Sequence, residues 1–339
     1  MAFEIIATGR AIPPRRLTNE DLAKTLDTND EWIRSHTGIE ARHIADDSVA
    51  CSDLALEAAR NALSLAVERG VCAEKTVEEL ALTLDLIVVG TASGDYIGCP
   101  ATACIVQDRL GARNAGAFDL AAGCSGFIYA LESAAGLLAI NKKRRRALVI
   151  GAEILSRFVD WSERTHCILF GDGAGAVLLE KTEAEGRGLL RTILGADGSG
   201  SESIMMRLGG SRNAYKPNDI VTLPPHLEMN GRAVYNFAVK AVTSTIEQLL
   251  LDEGISINDL SRIVPHQANA RIVQAAAKRL NIPEQKFFLN IQEYANTSAA
   301  SIPIALDELN RAGELRKGDL IMTVGFGAGL TYGGNLLRF

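Results

Sequence analysis

L-D-L-I-V-V-G, from Leu84 to Gly90, returns later in the chain as L-S-R-I-V-P-H, from Leu260 to His266, and the reading of these two runs decides the fold. Each is a short, nearly continuous apolar stretch, the pattern of a strand buried on both faces. Each is followed by a helical segment, Ala101 to Leu110 after the first and Ala270 to Leu280 after the second. The correspondence continues outward. The strand Ala117 to Ala122 with its helix Phe127 to Ile140 is matched by Phe287 to Ile291 and a helix from near Ser298, and Ala147 to Gly151 is matched by Leu320 to Gly325. In all three comparisons the offset stays between 170 and 176 residues. A strand-helix unit present twice predicts an α/β fold of parallel strands covered by helices, with functional groups at the carboxyl ends of the strands. The halves are expected at residues 1–184 and 185–339.

The remaining segments fill in around this frame. Phe3 to Gly9 predicts a strand, Leu17 to Leu26 a short helix capped by Thr18 or Asn19, and Ser52 to Ala66 an amphipathic helix. G-D-G-A-G at Gly171 to Gly175 has the wrong spacing for a nucleotide loop and reads as a tight turn into a strand Ala176 to Glu180. Glu183 to Pro225, rich in Gly, Ser, Asn and Pro, reads as excursions and loops.

Composition narrows the class of function. A chain of 339 residues with 47% hydrophobic content buries a sizeable core. Its net charge of −6 argues against nucleic acid as the main partner. The N-terminus has neither a basic region nor a long apolar run, so no secretory signal is expected, and the apolar stretch Phe118 to Ile140 carries Asp119 and Glu132, which fits a buried strand and helix better than a membrane span. Cysteines at 51, 72, 99, 104, 124 and 167 form no C-x-x-C pair and no metal spacing, which points to reduced thiols in a cytoplasm and to no metal.

D-L-A-A-G-C-S-G-F, Asp119 to Phe127, puts Cys124 in the turn between a strand and an apolar helix. A thiol there faces unpaired backbone N–H groups and the positive end of the helix dipole, so its pKa is expected to fall below ~8.5. Free cysteine is also a common small core residue; Gly123 and Gly126, which permit close approach of a substrate or another backbone, favour the reactive reading. The duplication puts His266, in P-H-Q-A-N, and Asn296, in Y-A-N-T-S, at equivalent strand ends. Either alone is explicable as a satisfied core histidine or a turn asparagine. At matched positions in a duplicated fold the three read as a site. A papain-like protease shares the order cysteine, histidine, asparagine, with the last two roughly 130–150 residues downstream. Its nucleophile lies near the mature N-terminus in a different context, so the protease is a remote alternative, as is an acyl-binding protein that has lost catalysis.

A-G-C-S-G-F at Cys124, V-P-H-Q-A-N-A-R-I at His266, Y-A-N-T-S-A-A-S-I-P at Asn296 and the terminal G-F-G-A-G-L-T-Y-G together resemble β-ketoacyl-acyl carrier protein synthase III, a thiolase-fold condensing enzyme. D-E-W-I-x-x-x-T-G-I and F-G-D-G-A-G-A extend the resemblance over nearly the whole chain. Thiolases are less similar, since they need a second cysteine where this chain has Phe326, and plant-type polyketide synthases are usually longer. The resemblance implies a five-layered αβαβα sandwich and a homodimer paired through the strand before the nucleophile. It implies an acyl-CoA primer and malonyl-acyl carrier protein as partners, the CoA thioester being substrate, with no tightly bound cofactor. Cys124 would be acylated, with the oxyanion held by the backbone N–H groups of Cys124 and Ala328, and His266 and Asn296 would hydrogen-bond the extender's enolate. A related condensing enzyme of a specialised acyl or polyketide pathway remains the alternative. For CoA the resemblance implies Trp32 and Arg164 around the adenine and Asn269 near the pantetheine arm. His36 stands where many relatives have arginine. Carrier protein docking falls to Arg271, Lys278 and Arg279, which share a helix face; a merely solvated face is the competing reading. Cys99, in Gly98-Cys99-Pro100, replaces a phenylalanine that closes the partner's acyl channel in acetyl-selective relatives, so a roomier acyl pocket is expected.

Overall fold

The computed structural model describes residues 2–215 and 223–339. Two sheets form its frame. The first contains β1 (Ala2–Ala11), β2 (Leu86–Gly90), β3 (Gly116–Leu120), β4 (Arg146–Ile154) and β5 (Asp172–Thr182), in the spatial order β1-β5-β4-β2-β3. The second contains β6 (Gly188–Ala196), β7 (Arg262–Pro265), β8 (Leu320–Gly327) and β9 (Thr331–Arg338), in the order β7-β8-β9-β6. Strands β2, β3 and β4 run parallel, as do β7 and β8, while β1, β5, β6 and β9 add antiparallel ladders.

Helices fill the spaces on both sides of each sheet. Their ranges are α1 (Asp30–Thr37), α2 (Cys51–Glu68), α3 (Thr102–Leu110), α4 (Gly126–Ile140), α5 (Gly231–Glu253), α6 (Ala270–Leu280) and α7 (Ser301–Arg311). Three apolar clusters show how they stack. Leu54, Leu63 and Val106 from α2 and α3 pack on Ile87, Leu148 and Ile150, covering the outer face of the first sheet. Phe127, Leu131, Leu306 and Leu309 from α4 and α7 lie with Val149, Val177, Val264 and Ile321 between the two sheets. Ile246, Leu249, Ile272 and Ala276 from α5 and α6 cover Ile263, Met322 and Val324 on the far side. The order is therefore helix, sheet, helix, sheet, helix, and the five-layered thiolase-like sandwich that the resemblance implies is the observed fold. Gly123–Ile140 is long and apolar enough to cross a membrane, yet α4 occupies the central layer with Phe127, Ile128, Leu131 and Leu138 buried, the position of a core helix.

Four readings need correction. The helix expected at Leu17 to Leu26 spans only Asn19–Ala23, since Leu17 and Thr18 belong to a strand, Arg15–Thr18, paired with Ala41–Ile44. Phe287 to Ile291 is not a strand. It makes one bridge, Phe287 to Ile263, and then turns into the helical segment Ile291–Tyr294. The Gln267 amide donates to Phe288 O at 3.1 Å and accepts from Asn290 N at 3.2 Å, so one side chain takes up hydrogen-bonding groups that a ladder would otherwise use. G-D-G-A-G is no turn either: residues 172–175 lie inside β5. A Cβ on Gly175 would lie 2.5 Å from Ile304 N, so this glycine is there for the close approach of α7 to the sheet. Finally, the supposed loop from Glu183 to Pro225 contains the strand β6 and the short strand Ile204–Met206, with the part at 216–222 outside the described residues. β6 is a half-buried edge strand, and its apolar residues are interrupted by Gly, Arg and Thr, which hides it in composition.

Candidate active site

Cys124 lies in the 3-10 turn Gly123–Ser125 between β3 and α4. Gly123 has φ +52°, a conformation that side chains disfavour. A Cβ on Gly123 would stand 2.7 Å from Ala328 N, and one on Gly327 would fall on the amide nitrogen of Cys124. These two glycines let the loop after β8 press backbone to backbone against the turn that carries Cys124, with Ala328 N against Gly123 and the Cys124 amide nitrogen against Gly327. Ser125 and Thr331 pin the contact, their hydroxyls 2.8 Å apart and the Thr331 hydroxyl donating to Ala122 O at 2.8 Å.

The acidity of the thiol is opposite to the sequence expectation. Burial pushes the Cys124 thiol up to about 12, and the Glu153 carboxylate adds to the rise. A thiolate at the foot of an apolar cavity loses more hydration than one helix N-terminus returns. The resting residue is the thiol.

His266 directly follows β7 and is buried, with its ring edge-on to Phe326 at a centroid distance of 5.4 Å. Burial holds the imidazole down to about 3, so it is neutral at physiological pH. Nδ1 is 2.7 Å from Ser301 Oγ, while Nε2 is buried without a hydrogen-bond partner among the described residues. Asn296 is flanked by two non-glycine residues of positive φ, Ala295 at 55° and Ser298 at 48°. Such backbone costs on the order of 1–3 kcal/mol per residue and persists where the surroundings over-determine it. Here Asn296 N donates to Leu169 O at 2.9 Å, Gly171 N donates to Asn296 O at 3.1 Å, and the side-chain Oδ1 accepts from Ser298 N at 2.8 Å. With Oδ1 engaged, the amide N–H group is the end left for a ligand.

Glu153 and Ser301 were not anticipated. Glu153, fully buried on β4, accepts hydrogen bonds from Ser93 Oγ and from the backbone N–H of Ala92, and desolvation raises its pKa to about 7. A lone carboxylate in the apolar run of β4 was the available signal. Ser301 stood in the quoted motif around Asn296, with nothing in its spacing to single it out.

One cavity unites the predicted chemistry. Cys124, His266 and Asn296 line it together with Phe326 and Ala328, and Leu155, Phe170, Leu227, Met229 and Ile272 supply apolar walls. Asn269 also lines it; its Oδ1 caps α6 through Arg271 N, and its Nδ2 donates to His36 O at 3.1 Å, tying the C-terminal end of α1 to the site. Trp32 on α1 is half-buried. The His36 ring stacks on it at 4.4 Å, with Nδ1 2.7 Å from Trp32 O, and the Arg164 guanidinium lies 5.5 Å from its centre while donating to Asp27 O. His36 thus braces the tryptophan. A purine between Trp32 and Arg164 needs about 7 Å, two contacts of ~3.5 Å, so Arg164 must swing outward to admit one. Arg271, Lys278 and Arg279 are exposed on α6, and Arg271 Nε donates to Ser35 O at 2.9 Å. Cys99 is exposed on the loop between β2 and α3 and is not among the lining residues of this cavity.

Comparison with known proteins agrees with this geometry. The 3-oxoacyl-(acyl carrier protein) synthase III family matches residues 118–198, and the C-terminal family of the same synthase matches residues 250–339. The β-ketoacyl-(acyl carrier protein) synthase III of Syntrophomonas wolfei is 45% identical over 339 residues, which is 100% of this chain and 98% of the relative. The crystal structure of the Aquifex aeolicus 3-oxoacyl-(acyl carrier protein) synthase III superposes with a TM-score of 0.87 at 41% identity, covering 100% of both chains. A priming β-ketosynthase from a polyketide biosynthetic pathway superposes with a TM-score of 0.89 at 33% identity, over 100% of this chain and 96% of that one. With relatives of this identity matched from end to end and the same fold, the chain belongs to the β-ketoacyl-acyl carrier protein synthase III family.

Proposed function

We propose that this chain carries out the decarboxylating condensation that starts fatty acid synthesis, through an acyl group held on Cys124. The convergence of Cys124, His266 and Asn296 on one largely apolar cavity supports this reading above all. It also gives the two halves distinct tasks, the nucleophile coming from residues 1–184 and the polar pair from 185–339.

In the first step the Cys124 sulfur attacks the carbonyl carbon of an acyl-CoA. Negative charge develops on the carbonyl oxygen, where the amides of Cys124 and Ala328 meet it. The carbon–sulfur bond to CoA breaks, the thiol proton is passed on to the departing sulfur, and CoA leaves. Trp32, Arg164 and Asn269 hold CoA at the mouth, with His36 supporting Trp32. Malonyl-acyl carrier protein then docks by its acidic surface on Arg271, Lys278 and Arg279. As carbon dioxide departs, the enolate oxygen accepts hydrogen bonds from Asn296 Nδ2 and His266 Nε2. Asparagine cannot take a proton and this histidine stays neutral, so both act by electrostatics. The enolate carbon attacks the acyl carbon, the bond to Sγ breaks, and the Cys124 thiolate recovers a proton from water. Phe326, edge-on to His266, packs the ring in place.

A specialised acyl or polyketide pathway is the second reading; the exposed Cys99, in place of a bulky channel-closing side chain, favours primers other than acetyl. The chemistry is tested by separating the half-reactions. His266→Ala and Asn296→Ala are expected to accept label from acyl-CoA but to release carbon dioxide from malonyl thioester about 10²–10³-fold more slowly, the cost of one such donor. Near wild-type release from either variant would remove that residue from the reaction.

A further inference from the structure

The hydrogen bonds around Ser301 fix more about His266 than its position. Ser301 Oγ lies 2.7 Å from His266 Nδ1, 2.9 Å from Ser298 O and 3.3 Å from Gln267 N, and the residue is buried. A hydroxyl has one hydrogen to give. Ser298 O can only accept, so when the Ser301 hydrogen points there, Nδ1 must be the donor to Oγ. The ring is then the Nδ1–H tautomer, and Nε2, buried at the cavity wall without a partner among the described residues, presents a lone pair. An enolate oxygen requires the reverse, an N–H at Nε2 and a bare Nδ1. Within this set of contacts only the Ser301 hydroxyl can supply a hydrogen to that bare Nδ1, by turning away from Ser298 O.

We propose that Ser301 is a positioning residue that sets the tautomer of His266, its hydroxyl pointing to Ser298 O in the resting enzyme and to Nδ1 when Nε2 must donate to the extender. The change moves one hydrogen from Nδ1 to Nε2 through water in the open cavity, so the ring stays neutral and no net proton is consumed. During acyl transfer the bare Nε2 makes no demand on the primer carbonyl. During condensation the turned hydroxyl keeps Nδ1 satisfied while Nε2 donates. The Gln267 backbone N–H, which donates to the same Oγ, keeps the oxygen in place through the turn. The inference rests on the role given to His266 above, but the resting tautomer is read without turnover, so the two can fail separately.

The test is ¹⁵N NMR of the histidine-labelled full-length protein without ligand, with His266 assigned by its loss in His266→Ala, together with half-reaction rates for Ser301→Ala. The expected wild-type spectrum has Nδ1 protonated and Nε2 bare. Ser301→Ala is expected to lose that preference and to decarboxylate malonyl thioester about tenfold or more slowly, with Cys124 acylated within about threefold of the wild-type rate. A resting wild-type ring protonated at Nε2 overturns the proposal whether or not the variant folds. So does an alanine variant with unchanged tautomer populations, or one whose decarboxylation is unaffected. Ser301→Cys, which keeps a weak donor, is expected to fall between the two.

Discussion

His266 and Glu153 are both buried with no counter-ion among the described residues, and burial moves them in opposite directions, since each is driven to its neutral form. For Glu153 the folded pKa, about 7, lies above the ordinary value of 4.5. The folded state therefore holds the proton more tightly, and the stability this contributes is fully present below pH ~4.5 and lost as pH rises through ~7. Each unit of difference is worth about 1.4 kcal/mol. Glu153→Gln keeps an acceptor without the titration. Between pH 6 and 8.5 its melting temperature should fall less than that of the wild type, as read by calorimetry; parallel curves would mean that the buried carboxyl does not titrate there. That Cys124 and His266 belong to one site was legible in the sequence because each stands at a strand end or in the turn after one; Asn296 was legible from its motif alone, since the helical segment Ile291–Tyr294 precedes it in place of the expected strand. The acidities of Cys124 and His266 were not. Walls from Leu155, Phe170 and Leu227, remote from Cys124 along the chain, decide that the thiol is raised and not lowered.

At the level of elements, periodicity exposed the buried parallel strands and the amphipathic helices, and α6 begins and ends where its pattern does. It missed β6, whose partner β9 supplies the order that its own sequence lacks. It overstated the strand at Phe287, where a glutamine side chain stands in for neighbouring backbone. The loop between β2 and α3 carries Tyr96, Ile97 and Cys99 on its exposed side. Cys99 stands clear of the cavity of its own chain, so the acyl-pocket role proposed for it requires a neighbouring subunit. Primers longer or bulkier than acetyl are expected to acylate Cys124 faster than acetyl-CoA, each buried methylene contributing ~0.8 kcal/mol. Cys99→Phe should shift the preference back toward short chains. Competition among acetyl-, butyryl-, octanoyl- and branched acyl-CoA checks this, and a clear preference for acetyl in the unmodified protein would count against it.

At the scale of the whole molecule, the first sheet leaves an edge that can take a partner. β3 ends the first sheet, paired on one side to β2, and its residues Ala117 to Leu120 are only half-buried. An uncovered edge strand invites pairing, and pairing two copies about a twofold axis closes it. A homodimer is therefore expected, and it would bring each Cys99 loop toward the other subunit. Light scattering at micromolar concentration should give about twice the mass of one chain; a monomer would leave both the edge and the Cys99 loop unexplained. Segments far apart in the chain meet at the cavity, where the backbones of Leu169 and Gly171 bond that of Asn296. The central claim is that this junction exists to carry an acyl group on one sulfur. Intact-mass spectrometry after incubation with butyryl-CoA, followed by peptide mapping, tests it most directly. The account predicts one butyryl group per chain, located on Cys124, lost on adding malonyl-acyl carrier protein and absent from Cys124→Ala. An adduct retained in that variant, or none in the wild type across the acyl-CoA panel, would contradict it.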